Sequence, residues 1–450
     1  VEAKPKLVEA TTPLTIFVFI CGLFASQRFS LNELNAFICI LPYAFFFQYL
    51  SSKKLDIALS LLVISLFLVI DNGGGEYSET PSVLRYPIYL SCLLMLGYLS
   101  KPKIALKKLL FLAILSFVLL MTTWAFHMVV FDVITFQRDI LALIILSLVL
   151  VGRGEAKLSL PLLFATSFGF LIGEVVNISW FFNYGDGDYL NYNGLKAFIV
   201  FPFLYVAFIK KNSLLAIVLF FLTILVLVNY GSRMLIGTFV SLLLVAFIVD
   251  KYMHLRAMLF LTIFVSMVIV AINFFGLPTI GTEGSRYKAV QFIFEFIISI
   301  ESADFFSALK VLDLARFAEH QMFFSRPVFE VVFGSGLGSG MADTGGLLAD
   351  VGFNHTAFSV EELNSSLYFG FHDYWIDFGL RFGFIMVVFI LYLVSIKQML
   401  LGRLVCGILF GLLLLNTFFA TSGLLFTALI IKFYPSGMRS MQSNLVSGSL

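Results

Sequence analysis

Long apolar runs broken by short polar segments make up most of the chain, and the polar segments alternate in character along it. One set is basic: Lys53/Lys54, Lys101 to Lys108, Arg153 to Lys157, Lys210/Lys211, Asp250 to Arg256 and Lys397 to Arg403. The segments between are acidic or nearly uncharged: Gly73 to Arg85, Asp132 to Arg138, Phe182 to Gly194 and Asn229 to Arg233. About 20 apolar residues are needed to cross hydrocarbon as a helix, and loops rich in Lys and Arg stay on the cytoplasmic side. The pattern therefore predicts 14 crossings, near 11–27, 34–50, 55–71, 86–100, 109–131, 139–152, 158–181, 195–209, 213–229, 234–250, 257–276, 373–396, 404–420 and 422–434. Both termini then lie in the cytoplasm. The last two runs are short and separated only by Thr421-Ser422-Gly423, so one kinked helix with an outward C-terminus is an alternative there.

One outward segment, from about Pro278 to His372, is far longer than any other connection. From Ser285 to Arg326 it mixes apolar and charged positions, with Phe292, Phe296, Phe305, Leu309, Leu312, Phe317 and Phe323 among the apolar ones. Its run Ala289 to Ile300 is too short to span, which predicts two amphipathic helices lying at the membrane surface. A glycine-rich turn, Gly334 to Gly346, follows. The expected organisation is a transmembrane scaffold over 1–276 with about 11 spans, a long outer loop over 277–372, and C-terminal transmembrane helices over 373–450. The expected fold class is an all-α polytopic integral membrane protein.

Composition agrees, with 60% hydrophobic and 12% charged residues against about 45–50% and about 25% in soluble globular chains. A net charge of +2 with no polybasic arm argues against a nucleic-acid partner. Cys21, Cys39, Cys92 and Cys406 all lie in apolar runs without metal-type spacing, which points to buried thiols. The first residues read as a cytoplasmic lead into a retained span, because no small-residue cleavage site follows a short apolar core.

Candidate chemistry gathers on the outward side. Arg233, in NYGSRMLIG, stands at the mouth of a span, where Gly231 and Ser232 let a head group approach the backbone; an interface anchor is the plainer account. Arg286, Arg316 and Arg326 are candidate phosphate ligands, since a guanidinium offers paired donors to an anionic oxygen pair. On a helix, Asp313, Arg316 and His320 fall on one face, opposite the phenylalanines; an ordinary solvated face with an Asp/Arg pair has the same pattern. The run VFGSGLGSGMADTGG lacks the Gly-Lys-Ser/Thr ending of a P-loop, so nucleotide binding is rejected. Its glycines allow a tight turn whose N–H groups can face an anion or a sugar, or simply a flexible turn. Asp186-Gly187-Asp188 is weak evidence for a metal. Among the histidines, His127 lies mid-span and His254 on the cytoplasmic side, leaving His320, His355 and His372 outside. His372, in FHDYWIDFGLRFGF where the loop re-enters the membrane, has Asp373 and Asp377 nearby to orient it and raise its basicity.

Taken together, these motifs resemble the O-antigen polymerase and O-antigen ligase superfamily of lipid-linked-glycan glycosyltransferases. The resemblance rests on Ser232-Arg233 at the outer mouth of a late span, Arg316 opening an amphipathic helix, the stretch Pro327 to Gly338, and His372-Asp373-Tyr374 entering a span that holds Gly379 and Gly383. It covers mainly residues 229–396. Two departures from the family pattern are the segment Met341 to Phe371, inserted between the glycine-rich turn and His372, and Phe317 where a Trp is more common.

The resemblance implies an inverting, metal-independent transfer with a GT-C-like architecture in the bacterial inner membrane, with the active site facing the periplasm. Arg233, Arg316 and His372 would be catalytic. Arg286, Arg326, Gly336, Gly338, Asp373 and Tyr374 would bind substrate. The expected partners are undecaprenyl-diphosphate-linked glycan donor and acceptor, the bilayer, and a polysaccharide chain-length regulator. No cofactor is implied. A ligase that transfers glycan to lipid A core is the alternative within the superfamily, and a lipid-linked oligosaccharide transporter using Glu174 is the alternative outside it.

Overall fold

A computed structural model describes residues 14–20, 32–69, 82–101, 114, 118, 121, 133–151, 153–154, 157–184, 199–210, 212–229, 239, 314–342, 367–368, 374–388 and 421–433. These residues are overwhelmingly helical, in agreement with an all-α fold. The helices are α1 (Asn32–Ser51), α2 (Leu55–Val69), α3 (Ser82–Tyr98), α4 (Val133–Val151), α5 (Leu160–Tyr184), α6 (Phe201–Leu204), α7 (Ser213–Asn229), α8 (Leu314–Phe324), α9 (Val328–Phe333), α10 (Tyr374–Phe382) and α11 (Thr421–Phe433). A π-helical turn, Tyr205–Lys210, continues α6. Two antiparallel pairs of two-residue strands are also present, β1 (Ser100–Lys101) with β2 (Arg153–Gly154) and β3 (Met341–Ala342) with β4 (Leu367–Tyr368), and residues 14–20 and 384–388 are helical.

Where the expected spans fall among the described residues they are largely helical, and α7 keeps the expected bounds of 213–229, while 257–276 lies outside the described residues. The larger difference is α4. It begins at Val133, so Arg138 and Asp139 sit inside the helix rather than in or beside a loop. Among the described residues, no helix is long and apolar enough to cross a membrane. The two most apolar, α2 and α7, have 15 and 17 residues, about 22 and 25 Å at 1.5 Å per residue.

One core joins these helices. Leu59, Leu62, Leu66, Cys92, Leu96, Ile145, Leu163, Phe170, Phe203, Phe220 and Leu425 are all buried in it. Hydroxyls inside the core turn back on their own helices: Ser60 donates to Asp56 O at 2.7 Å, Ser65 to Leu61 O at 2.8 Å and Thr166 to Leu162 O at 3.0 Å. An apolar interior accepts these side chains because the helix itself supplies their partner. Between α1 and α3, Tyr43 donates its hydroxyl to Pro87 O at 3.0 Å and lies 2.6 Å from Ser91 Oγ.

Several of the basic segments meet at one end of the core. The Lys157 amide donates to Asp56 Oδ1 at 2.8 Å and the Ser159 amide to Ser60 Oγ at 2.7 Å. Lys101 pairs with Arg153 in β1–β2. The Leu158 amide donates to Phe433 O at 2.9 Å, and Lys432 reaches the carbonyls of Leu96 and Leu148 near the ends of α3 and α4. Both carbonyls lie in the last turn of their helices, so an ammonium there complements the negative end of the helix dipole. Because α11 ends at Phe433 in this cluster, the last helix runs toward the basic end. Residues 404–420 lie outside the described set.

Candidate functional site

The helices α8, α9 and α10 pack on one another in a smaller cluster. Ala318, Met322, Phe323, Met341, Ile376 and Leu380 make its buried centre, with Trp375 and Val331 against it. The helix α8 follows the amphipathic pattern expected near Arg326, but not all of its polar residues are open to water. Glu319 is buried, and the rings of His320 and Trp375 lie 5.2 Å apart. Trp375 also meets Phe323 at 5.7 Å and Phe324 at 6.2 Å between ring centres. Close approach of the two helices is possible because position 379 is glycine: a Cβ there would sit 3.3 Å from the Phe323 ring.

The glycine-rich turn is locked to the far end of α10. The Gly334 amide donates to Glu330 O at 2.8 Å, the Ser335 amide to Leu380 O at 2.7 Å and the Gly336 amide to Arg381 O at 3.3 Å. Two backbones nearly touch here. A Cβ on Gly334 would lie 2.4 Å from Arg381 O, and one on Gly383 would lie 2.3 Å from Val332 O; both residues have positive φ, +83° and +80°. Only glycine removes that conflict at both positions.

Asp139 on α4 reaches the same turn from the main core. Its Oδ2 accepts the Gly338 amide at 2.7 Å and lies 3.4 Å from Arg381 Nε. Arg381 Nη2 in turn lies 2.7 Å from Asp377 Oδ1, and Nη1 donates to the Asp377 carbonyl at 3.0 Å. The Asp139 and Arg381 side chains are only 6% and 5% exposed, so the charges are compensated by each other rather than by water. This network ties α4, the glycine-rich turn and α10 into one unit.

Arg326 bridges α8 and α9. It donates through Nε and Nη2 to Glu330 Oε2, at 3.2 and 2.8 Å, and through Nη2 to Ser335 Oγ. Its guanidinium lies 5.8 Å from the Phe323 ring centre. Burial lowers the Arg326 pKa, and the Glu330 hydrogen bond and charge oppose that shift. Its Nη1 is buried and has no hydrogen-bond partner.

The strand pair β3–β4 bears on the inserted segment. Met341 faces Tyr368 and Ala342 faces Leu367, so the two ends of the insertion are held side by side. The chain thus returns to the glycine-rich turn six residues before α10 begins. A long insertion in sequence is a closed excursion in space.

Of the expected site residues, Arg326, Gly336 and Gly338 are brought together in this cluster. The amides of Gly336 and Gly338 are already occupied by Arg381 O and Asp139 Oδ2. Arg316 is the third residue of α8 and Tyr374 the first of α10, with side chains outside the described set. Arg233, Arg286, His372 and Asp373 lie outside the described residues, as do Asp186, Asp188, Asp313 and His355. Sequence reasoning missed Asp139, Glu330 and Arg381. The signal for Asp139 was a charge inside an apolar run, and its partner was not legible because it lies 242 positions further on. Compared with known proteins, the chain matches no family model and no curated sequence.

Proposed function

We propose that this chain is a polytopic glycosyltransferase of the bacterial inner membrane that polymerises lipid-linked oligosaccharide repeats on the periplasmic face. The growing glycan would move from undecaprenyl diphosphate to the next lipid-linked repeat. The observation that carries the reading is the packing of α8 on α10 through His320, Phe323 and Trp375. Arg316 lies one helical turn before His320, on the same side of α8, and Trp375 is three residues after His372 in sequence. Closure of the insertion by β3–β4 adds support, since it returns the chain to α10 beside the glycine-rich turn.

Membrane embedding is supported by apolar stripes that face outward. On α3, Tyr86, Leu90, Leu94 and Tyr98 recur every four residues and all are exposed, while Ile88, Cys92, Met95 and Leu96 are buried. On α7, Leu214, Val218, Phe221 and Leu225 are likewise exposed, at spacings of four, three and four. Water penalises such stripes; lipid does not. The topology is supported by the basic segments meeting at one end, with Asp139 on the glycine-rich turn at the opposite end of α4.

In this reading, departure of a lipid diphosphate develops negative charge that Arg233 and Arg316 stabilise, with Arg286 assisting. His372 takes the proton of the attacking sugar hydroxyl, and Asp373 orients it. The test is alanine replacement of Arg233, Arg316 and His372, scored by the surface-glycan ladder, beside an assay on purified protein with lipid-linked repeats alone. Polymer from repeats alone, lost in each variant, is the expected result. Product that appears only with lipid A core added would reassign the chain as a ligase. Unchanged ladders in all three variants, with loss in Glu174→Gln, would replace the reading with a transporter.

A further inference from the structure

The helix α9 is unusual among the described helices of the outer cluster because none of its residues is buried. Val328 is 78% exposed and Phe329 54%, and Phe333 is exposed beside them. Phe329 and Phe333 lie four residues apart on one side of the helix, with ring centres 5.0 Å apart. The apolar surface does not stop at α9. Phe333 abuts Gly383 backbone to backbone, and the next residues, Phe384 and Ile385, are exposed as well. Exposed Phe324 at the end of α8 joins through a 6.5 Å ring contact with Phe384.

The two charged groups of this hairpin are engaged with each other, with side chains only 11% and 27% exposed. Glu330 on α9 and Arg326 before it pair at 2.8 Å, and Ser335 shares the arrangement. A hairpin that pairs its charges while presenting three phenylalanines and a valine suits hydrocarbon rather than water. It is also continuous with 384–388, which opens the apolar run to Ser395 expected to cross the bilayer.

We propose that α9 is a membrane foot: its Val328, Phe329 and Phe333 face, with Phe324 and Phe384, dips into the outer leaflet and sets the outer cluster's height over the lipid. The inference rests on the membrane reading above but not on the reaction. The foot holds Arg326 and the glycine-rich turn within reach of a head group at the bilayer surface.

The test places single nitroxide labels on the full chain in phosphatidylethanolamine/phosphatidylglycerol nanodiscs, with the native cysteines replaced. Labels go at Val328→Cys, Phe329→Cys and Phe333→Cys, with Leu90→Cys and Leu94→Cys on α3 as lipid references and Ser52→Cys as the water reference. Collision with oxygen should exceed collision with a water-soluble nickel chelate at 328, 329 and 333, as at 90 and 94, with the order reversed at 52. Water-like values at 328, 329 and 333 beside lipid-like values at 90 and 94 would overturn the foot and leave the membrane reading standing. Water-like values at all five positions would sink both. Spin–spin broadening at 333 that disappears on dilution with unlabelled protein would assign the face to a second copy and overturn the proposal.

Discussion

Replacing Arg381 with Met and Asp139 with Asn removes opposite halves of the same buried network, and the two changes should not cost the same. Arg381→Met leaves the Asp139 carboxylate, 6% exposed, with the Gly338 amide as its remaining partner beside a second carboxylate, Asp377. Stranding a buried charge in this way costs about 3–5 kcal/mol. Asp139→Asn leaves a neutral Arg381–Asp377 pair at 2.7 Å, and the amide oxygen can still accept from Gly338. Its cost is the lost charge assistance, about 1 kcal/mol. The double variant has no stranded carboxylate at position 139, so it should be more stable than Arg381→Met alone, at about 1–2 kcal/mol below the parent protein. Asp377 does not upset the ranking, because its side chain is 22% exposed and reaches solvent. Thermal unfolding of the full chain in nanodiscs, read by differential scanning fluorimetry, should rank the midpoints parent, Asp139→Asn, double variant, Arg381→Met. If Asp139→Asn proves as damaging as Arg381→Met, or the second substitution lowers the midpoint further, the charge-compensation argument is wrong.

Two other expectations follow from the same cluster. Gly334→Ala and Gly383→Ala each drive a Cβ into backbone at 2.4 and 2.3 Å with φ already positive, and each should cost more than about 2 kcal/mol; Gly97→Ala, with nothing within 4 Å, should be neutral or raise the midpoint slightly. A cysteine pair at Met341→Cys and Tyr368→Cys, directly opposite across β3–β4, should oxidise spontaneously without lowering the unfolding midpoint; failure to cross-link on non-reducing gels would refute the closed neck of the insertion.

How much of this was legible in the chain differs by level. The helices were, because a residue run such as Ser213–Asn229 is apolar at every turn and its backbone has no better option than to bond to itself. The basic segments were legible too, since charge is read one residue at a time, and several of them meet at one end of the core. The amphipathic character near Arg326 was legible as well; what the sequence did not show is that His320 packs on Trp375 of α10 and that Glu319 is buried.

Tertiary structure decided the rest. The expected span began at Asp139, after an outward segment from Asp132 to Arg138, whereas α4 begins at Val133 and a guanidinium 242 positions further on compensates the Asp139 carboxylate inside it. The glycines read as a tight turn whose amides can face an anion or a sugar, or as a flexible turn; in the fold, Gly334 and Gly383 are where two backbones meet, and the amides of Gly336 and Gly338 are bonded to Arg381 O and Asp139 Oδ2. The insertion looked like a break in spacing until β3 and β4 joined its ends. Sequence by itself determined what depends on local hydrophobicity and charge: helices, their order, and which loops are basic. Only the folded chain determined which distant charges meet and which backbones touch, because those energies belong to pairs of residues that no window along the sequence contains.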